Sequence, residues 1–178
     1  DGGFYYFDEN GYMQDGKVSD VECDDDDYNF YFNTKNGSNG QGFTGEKDNY
    51  LYFNGKRLEA DDDYRLYYLN GDIYLVNNKG KIQSSKSDNK KYDIENRGIA
   101  AEDVNVTFTG KKVKEVKVEG QPVMTATQLV DLAEANITAE VDPSEDATVS
   151  VPFIQLYDDD QYTYTAPEVE GWRYLNKK

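Results

Sequence analysis

The chain has 178 residues, of which 37% are hydrophobic and 14% aromatic, and its formal net charge is −16. This length fits one domain or two small ones, and the 16 Tyr argue against a disordered chain, because disordered chains lack aromatic residues. The acidic balance argues against a nucleic-acid partner, since phosphate contacts need a basic protein face.

Catalysis and cofactor binding are restricted by the same composition. The chain has no His and one Cys, so catalytic sites that need His, and zinc sites built from His or several thiolates, are excluded. Its 35 acidic residues could include a glycosidase carboxylate pair, but none sits in a motif. We therefore expect a non-catalytic protein without a cofactor. No run of about 18 apolar residues occurs, so no membrane span is predicted. Because the chain begins with Asp1 rather than Met, we expect a piece of a longer protein.

The first half of the chain contains short aromatic runs that are each followed by a turn ending in Gly. The runs and their turns lie at 4–7 with 8–11, 28–32 with 33–40, 50–53 with 54–55, 66–69 with 70–71, and 73–76 with 77–80. Alternating aromatic and aliphatic residues favour half-buried strands. Asn54-Gly55 and Asn70-Gly71 supply the positive φ angles of a two-residue hairpin turn. The pattern predicts repeated aromatic β-hairpins, which bury their faces by stacking.

Three acidic runs precede strands, at 24–27, 61–63 and 158–160. Calcium takes several oxygen ligands, so the weak metal candidates are Asp25, Asp26, Asp27, Asp61, Asp62 and Asp63. The runs lack the spacing of a known calcium loop. We favour the alternative that Asp forms turns and keeps the strand edges soluble, with no metal site.

The composition changes after residue 83. Residues 84–98 are polar and are predicted to be a linker or an exposed loop. Residues 99–178 are predicted to be a small α+β domain with one helix, in which Val replaces Tyr as the common strand residue. The expected order is strands around 104–108 and 113–118, a helix at 125–135 with Thr125 or Thr127 as its cap, and strands at 137–141, 149–153 and 162–164.

Residues 3–83 resemble the cell-wall-binding repeats of Gram-positive surface proteins, which include choline-binding, glucan-binding and clostridial toxin-type repeats. The match is carried by Gly3-Phe4-Tyr5-Tyr6-Phe7 with Gly11-Tyr12-Met13, and by shortened copies at 50–56 and 66–71. The family unit has a Gly-x-Trp-Tyr-Tyr-Leu strand, a short turn ending in Gly, and then Lys-Met. The resemblance implies a β-hairpin solenoid that attaches a secreted protein to the cell wall or to an extracellular polysaccharide.

Candidate ligand-binding residues follow from this resemblance. They are Phe4, Tyr6, Tyr31, Tyr52, Tyr68 and Tyr74, which would stack on sugars. The alternative is that these rings are the core that holds the hairpins together. No Trp occupies the positions of a choline cage and Lys17 replaces one, so the resemblance implies polymer binding in general rather than choline binding.

The expected function is therefore a mainly β, non-catalytic module on the surface of a Gram-positive bacterium. The expected partner is a cell-wall polymer or polysaccharide, and residues 99–171 could add a protein partner. The alternative is a structural spacer or protein-interaction unit without glycan affinity. Residues 171–178 begin with Gly171-Trp172, which is either the start of another repeat or the terminal anchor of the second domain.

Overall fold

The computed structural model describes residues 2–23, 25–84, 90–96, 99–131, 154–155 and 170–175. Its described part is mainly β, as the sequence predicts, with one short helix. The strands are β1 (Gly3–Tyr6), β2 (Gly16–Cys23), β3 (Asp26–Phe32), β4 (Gly45–Lys47), β5 (Tyr50–Phe53), β6 (Lys56–Arg57), β7 (Tyr64–Leu69), β8 (Asp72–Asn77), β9 (Lys91–Asn96), β10 (Ile99–Thr109), β11 (Lys112–Lys117), β12 (Met124–Thr125), β13 (Ile154–Gln155) and β14 (Trp172–Leu175). The helix, α1, occupies 126–131.

The chain divides into two compact units. Unit 1 comprises 1–58 and 163–178, and unit 2 comprises 59–162. Unit 1 contains a five-stranded sheet in the order β2-β3-β6-β5-β4 and a two-stranded sheet in which β1 pairs antiparallel with β14. The Gly171-Trp172 segment is therefore part of unit 1. It does not anchor the second half of the chain.

Unit 2 is built on one mixed sheet in the order β12-β11-β10-β9-β7-β13, with β8 pairing β7. Side chains from the aromatic hairpin β7–β8 and from the Val-rich strands share one core. Its buried members are Leu66, Ile73, Leu75, Tyr92, Ile94, Val104, Val106, Val113, Val116 and Leu129. The larger sheets of both units are antiparallel or mixed and are not closed.

This shared core changes the predicted domain boundaries. The sequence analysis ends the repeats at residue 83 and places a linker or exposed loop at 84–98, whereas the structure places β9 within that segment. The reason is local: Tyr92 and Ile94 are buried on one face of β9, while Lys91 and Asp93 are exposed on the other. Two alternating apolar residues are enough to make a strand here, because β7 and β10 pair with it and both side chains join the core of unit 2. The hairpin at 64–83 therefore belongs to unit 2.

The two-residue turns are confirmed. Asn54 and Gly55 have φ angles of 51° and 96°, and Asn70 and Gly71 have φ angles of 50° and 84°. They join β5 to β6 and β7 to β8 as antiparallel hairpins. A third turn of this kind was not predicted, because Asp48-Asn49 joins β4 to β5 without a Gly.

The longer aromatic hairpins repeat one hydrogen-bond pattern at three places. In the first, the Asp8 N–H donates to Tyr12 O, the Gly11 N–H to Asp8 O, and the Gln14 N–H to Tyr6 O, at 2.8–3.0 Å. The same three bonds recur around Asn77 with Gly80. They also recur around Asn33 with Gly40, although that loop is four residues longer than the other two. The glycines have φ angles of 82°, 83° and 81°. In the turns that end at Gly11 and Gly80, this is a three-residue hairpin loop closed by a left-handed residue.

Helix α1 begins with a capping box. The Gln128 N–H donates to Thr125 Oγ1 at 3.3 Å, and the Thr125 N–H donates to Gln128 Oε1 at 2.9 Å. Thr125, and not Thr127, is therefore the cap. Leu129 is buried in the core of unit 2. The rest of the predicted helix, and the predicted strands at 137–141, 149–153 and 162–164, lie outside the described residues.

Candidate functional site

Three aromatic rings meet on one face of the five-stranded sheet. Tyr31 from β3 and Tyr52 from β5 have ring centroids 6.0 Å apart. Phe43, which precedes β4, lies 5.8 Å from Tyr31 and 6.2 Å from Tyr52, edge-on to both. Such edge-to-face contacts are favourable arrangements of aromatic rings.

Strand alternation separates these rings from the sheet's other face. Phe30 and Phe32 are fully buried and stack on each other at 5.8 Å, whereas Tyr31 between them is only half-buried. Tyr6 joins that stack, with its ring 6.0 Å from Phe30 and 6.3 Å from Phe32. The same run of residues therefore supplies both an apolar core and a partly exposed aromatic face.

Two cations lie against the rings of the partly exposed face. Lys47 Nζ is 4.6 Å from the centroid of the Tyr31 ring. The Arg57 guanidinium is 3.8 Å from the Tyr50 ring, and its Nη2 donates to the Tyr52 hydroxyl at 3.1 Å. Cross-strand register places both cations on this face, because Lys47 is opposite Tyr50 and Arg57 is opposite Tyr52. We call this surface the aromatic-cation face; it consists of Tyr31, Phe43, Lys47, Tyr50, Tyr52 and Arg57.

The aromatic-cation face has little acidic character of its own. Lys17 is opposite Tyr31 in the register of β2 with β3, which adds a third cation. Glu46 is opposite Leu51, on the other face of the sheet. Within the described ranges, neither Lys47 nor Arg57 forms an ion pair with a carboxylate. Acidic residues of β2 and β3 include Asp20 in the bulge of β2, whose N–H donates to Asn29 Oδ1, and Glu22, which is opposite Asp27 at the far end of the strands.

Aromatic residues of unit 2 are arranged differently. Tyr68 packs against the core of the unit. Tyr74 is half-buried opposite Tyr67, whose hydroxyl donates to Glu59 O at 2.5 Å. Lys90 Nζ lies 5.2 Å from the rings of both Tyr64 and Tyr92, so a cation of the chain itself occupies this aromatic pair.

The structure brings together two of the six predicted ligand-binding residues, Tyr31 and Tyr52. Tyr52 is 4% exposed and Phe4 is 9% exposed, so both rings are largely core, whereas Tyr6 and Tyr31 are half-buried. Tyr68 and Tyr74 lie in unit 2, and the other four predicted residues lie in unit 1. The other four residues of the aromatic-cation face were not predicted from the sequence. A signal was available for Lys47 and Tyr50, because they flank Asp48-Asn49, a pair that tolerates the positive φ angles of a tight turn.

The weak metal candidates are exposed and stand in two separate turns. The first turn, between β2 and β3, holds Asp25, and β3 begins with Asp26 and Asp27. In the second, Asp61 forms a salt bridge with Arg65 Nη2 at 2.9 Å. Asp62 and Asp63 occupy the bend before β7, where Asp62 Oδ1 accepts a bond from the Asp63 N–H. Among the described residues, no group of three or more His, Cys, Asp or Glu could hold a metal ion.

Three titratable groups near the aromatic clusters have pKa values above their ordinary ones. Burial, together with the nearby carboxylates of Asp8, Glu170 and Glu9, raises the pKa of Tyr6. Burial also raises the pKa of Tyr92. The pKa of Lys90 is raised by its hydrogen bond to the Tyr64 hydroxyl. Each neutral tyrosine and the charged lysine are therefore favoured in the folded chain.

A scan against protein-family models finds none that matches the chain, and no curated protein matches it either. In the described part of the chain, no helix has the length and apolarity needed to cross a membrane.

Proposed function

We propose that the chain is a non-catalytic module of a secreted Gram-positive surface protein that binds a cell-wall polymer or extracellular glycan. The binding surface is the aromatic-cation face. The observation that carries this proposal is the cluster of Tyr31, Phe43 and Tyr52 on a sheet face that is only partly covered. Aromatic rings that remain partly accessible can stack on the apolar faces of sugar rings, while the tyrosine hydroxyls can bond sugar hydroxyls.

The recurring hairpin supports the same proposal. Three copies share their turn bonds and the conformation of their closing glycine, as expected of a repeat. Copies at 3–14 and 30–43 contact each other through the Gly42 N–H, which donates to Phe4 O at 2.7 Å. We propose that these two hairpins are units of a β-hairpin solenoid of the cell-wall-binding type.

A pull-down assay tests the proposal. The purified chain is mixed with isolated Gram-positive cell walls, peptidoglycan and α-glucans, with and without excess choline. We expect retention on at least one polymer. Tyr31→Ala and Tyr50→Ala should each reduce it, while Tyr12→Ala, which removes a ring that is 70% exposed outside this face, should not. Circular dichroism checks that each variant is folded, and no retention on any polymer refutes the proposal.

A structural spacer or protein-interaction unit is the alternative function, and one observation favours it. Tyr52 is 4% exposed and the Tyr50 ring is covered on one side by Arg57 at 3.8 Å, so part of the face is already satisfied within the chain. In that case Tyr31→Ala lowers stability without any change in polymer retention, because no polymer is retained. Polymer retention, together with the stability of Tyr31→Ala, therefore separates the two functions.

A further inference from the structure

We infer that the ligand of the aromatic-cation face is an acidic sugar, one that carries a carboxylate on an otherwise neutral glycan. This inference rests on the proposed function and names the chemistry of its ligand. The sugar ring would lie against Tyr31 and Phe43, and its carboxylate would bind Lys47, with Arg57 as the second cation.

The local charge of the aromatic-cation face favours an anionic ligand. The chain carries a net charge of −16, yet this face presents two cations within 6 Å of aromatic rings and a third opposite Tyr31. If the cations served only solubility, an acidic residue would do so equally well. Lys47 instead lies against the Tyr31 ring, and Arg57 lies against the Tyr50 ring and bonds the Tyr52 hydroxyl. Neither forms an ion pair with a carboxylate among the described residues. A ring face attracts a cation less strongly than a carboxylate does, so a ligand carboxylate can compete for Lys47.

The hydrogen-bonding state of Arg57 also favours an acidic ligand. Its Nη2 donates to the Tyr52 hydroxyl, but its Nε is buried and has no acceptor within the described part of the chain. Buried donors usually have a partner. The guanidinium is therefore under-satisfied in the chain alone, and an acidic oxygen at its edge would strengthen a group that Tyr50 and Tyr52 already hold in place.

The acidic residues around the face limit the density of charge that the ligand can carry. A dense polyanion would extend beyond the face and meet the acids of the chain, including Glu22 and Asp27 at the far end of β2 and β3. At physiological salt, charge interactions are screened beyond about 8 Å. A single carboxylate within that distance of Lys47 is attracted to it. Neighbouring neutral sugars carry no charge, so the acidic residues do not repel them. An isolated acidic sugar therefore fits better than a continuous polyanion.

A glycan array that pairs each carboxylate-bearing oligosaccharide with the same molecule reduced to the alcohol tests this inference. We expect binding to the acidic members and at least tenfold weaker binding to their reduced counterparts. Lys47→Met should weaken binding of the acidic members about tenfold and leave the reduced members unchanged. Lys56→Met is the matched control, because Lys56 Nζ lies 5.0 Å from the Tyr28 ring on the opposite face of the same sheet.

The outcomes separate this inference from the proposed function. Binding that prefers the acidic members and depends on Lys47 but not on Lys56 supports both. Equal binding of acidic and reduced members, or binding unaffected by Lys47→Met, overturns the acidic-sugar inference and leaves glycan binding intact. Absence of binding across the array, combined with no retention in the pull-down, overturns both.

Discussion

Gly42 lies where two hairpins of unit 1 approach each other, and its replacement by Ala gives a sharp test of the fold. A Cβ atom at this position would lie 2.8 Å from Gly55 N and closer still to the carbonyl of Asn54. These neighbours are backbone atoms, so no side chain can move aside. The φ angle of Gly42 is not in the left-handed region, so the cost of Gly42→Ala would come from steric overlap alone.

The magnitude follows from what must move. Ordinary contacts of a Cβ atom begin at 3.4 Å, so the two segments must separate by about 1 Å to relieve the overlap with the Asn54 carbonyl oxygen. Overpacking of this kind costs about 1–3 kcal/mol. The shift also loosens the hydrogen bonds that the Gly42 N–H donates to Phe4 O and the Gly55 N–H donates to Phe43 O, and losing one of them costs about 1 kcal/mol. We expect the free energy of unfolding of unit 1 to fall by about 3 kcal/mol.

Urea unfolding followed by tryptophan fluorescence measures this change. The only Trp of the chain is residue 172 in β14, which pairs with β1, so the signal reports on unit 1. Gly37→Ala is the control, because Gly37 has a φ angle of 89° and open space around its Cβ position. It should cost only the left-handed backbone penalty of about 1 kcal/mol. Equal losses for the two variants would refute the close approach of the hairpins.

Three further predictions concern turns, pH and capping. Asn77 Oδ1 accepts bonds from two N–H groups of its turn, so Asn77→Ala should cost about 1–2 kcal/mol by native-state hydrogen exchange, while Asn77→Asp should be tolerated because Asp8 makes the same bonds. The raised pKa of Tyr6 adds stability that is present below about pH 10 and is lost as pH rises through the folded pKa, so Tyr6→Phe should flatten the alkaline loss in urea unfolding. Thr125→Ala should cost about 1 kcal/mol in hydrogen exchange of α1, and Thr127→Ala much less; equal losses would contradict the capping box.

Local features of the fold were predictable because the residues that determine them are adjacent in sequence. Asn-Gly pairs fix a turn through their own φ angles, and a Gly three residues after Asp8 or Asn77 closes the longer hairpin loop. The helix start was predictable to within two candidate caps for the same reason. Choosing Thr125 over Thr127 needed only the capping-box spacing to Gln128.

Boundaries and strand partners depend on distant residues and were not predictable. β9 has two apolar side chains, Tyr92 and Ile94, and is buried only because β7 and β10 flank it. Likewise, β14 becomes a strand of unit 1 by pairing with β1 at the other end of the chain. The candidate site shows the same limit. Tyr31 and Phe43 meet because the Phe43 N–H donates to Tyr31 O. The sequence predicts the turn at 33–40 between them, but it does not predict which residues of the two strands are paired.

Whether an aromatic ring belongs to the core or to a binding face depends on which face of its strand it occupies. On β3, Phe30 and Phe32 are fully buried while Tyr31 between them is half-buried on the opposite face, beside Lys47. One aromatic run can therefore stabilise the sheet with its phenylalanines and present its tyrosine to a ligand. The residue type follows this division, because the hydroxyl of Tyr is useful only where it can reach water, a partner or a sugar. For Phe30→Leu we accordingly expect a loss of stability with ligand affinity kept in the folded fraction, whereas Tyr31→Phe should keep stability and lower affinity.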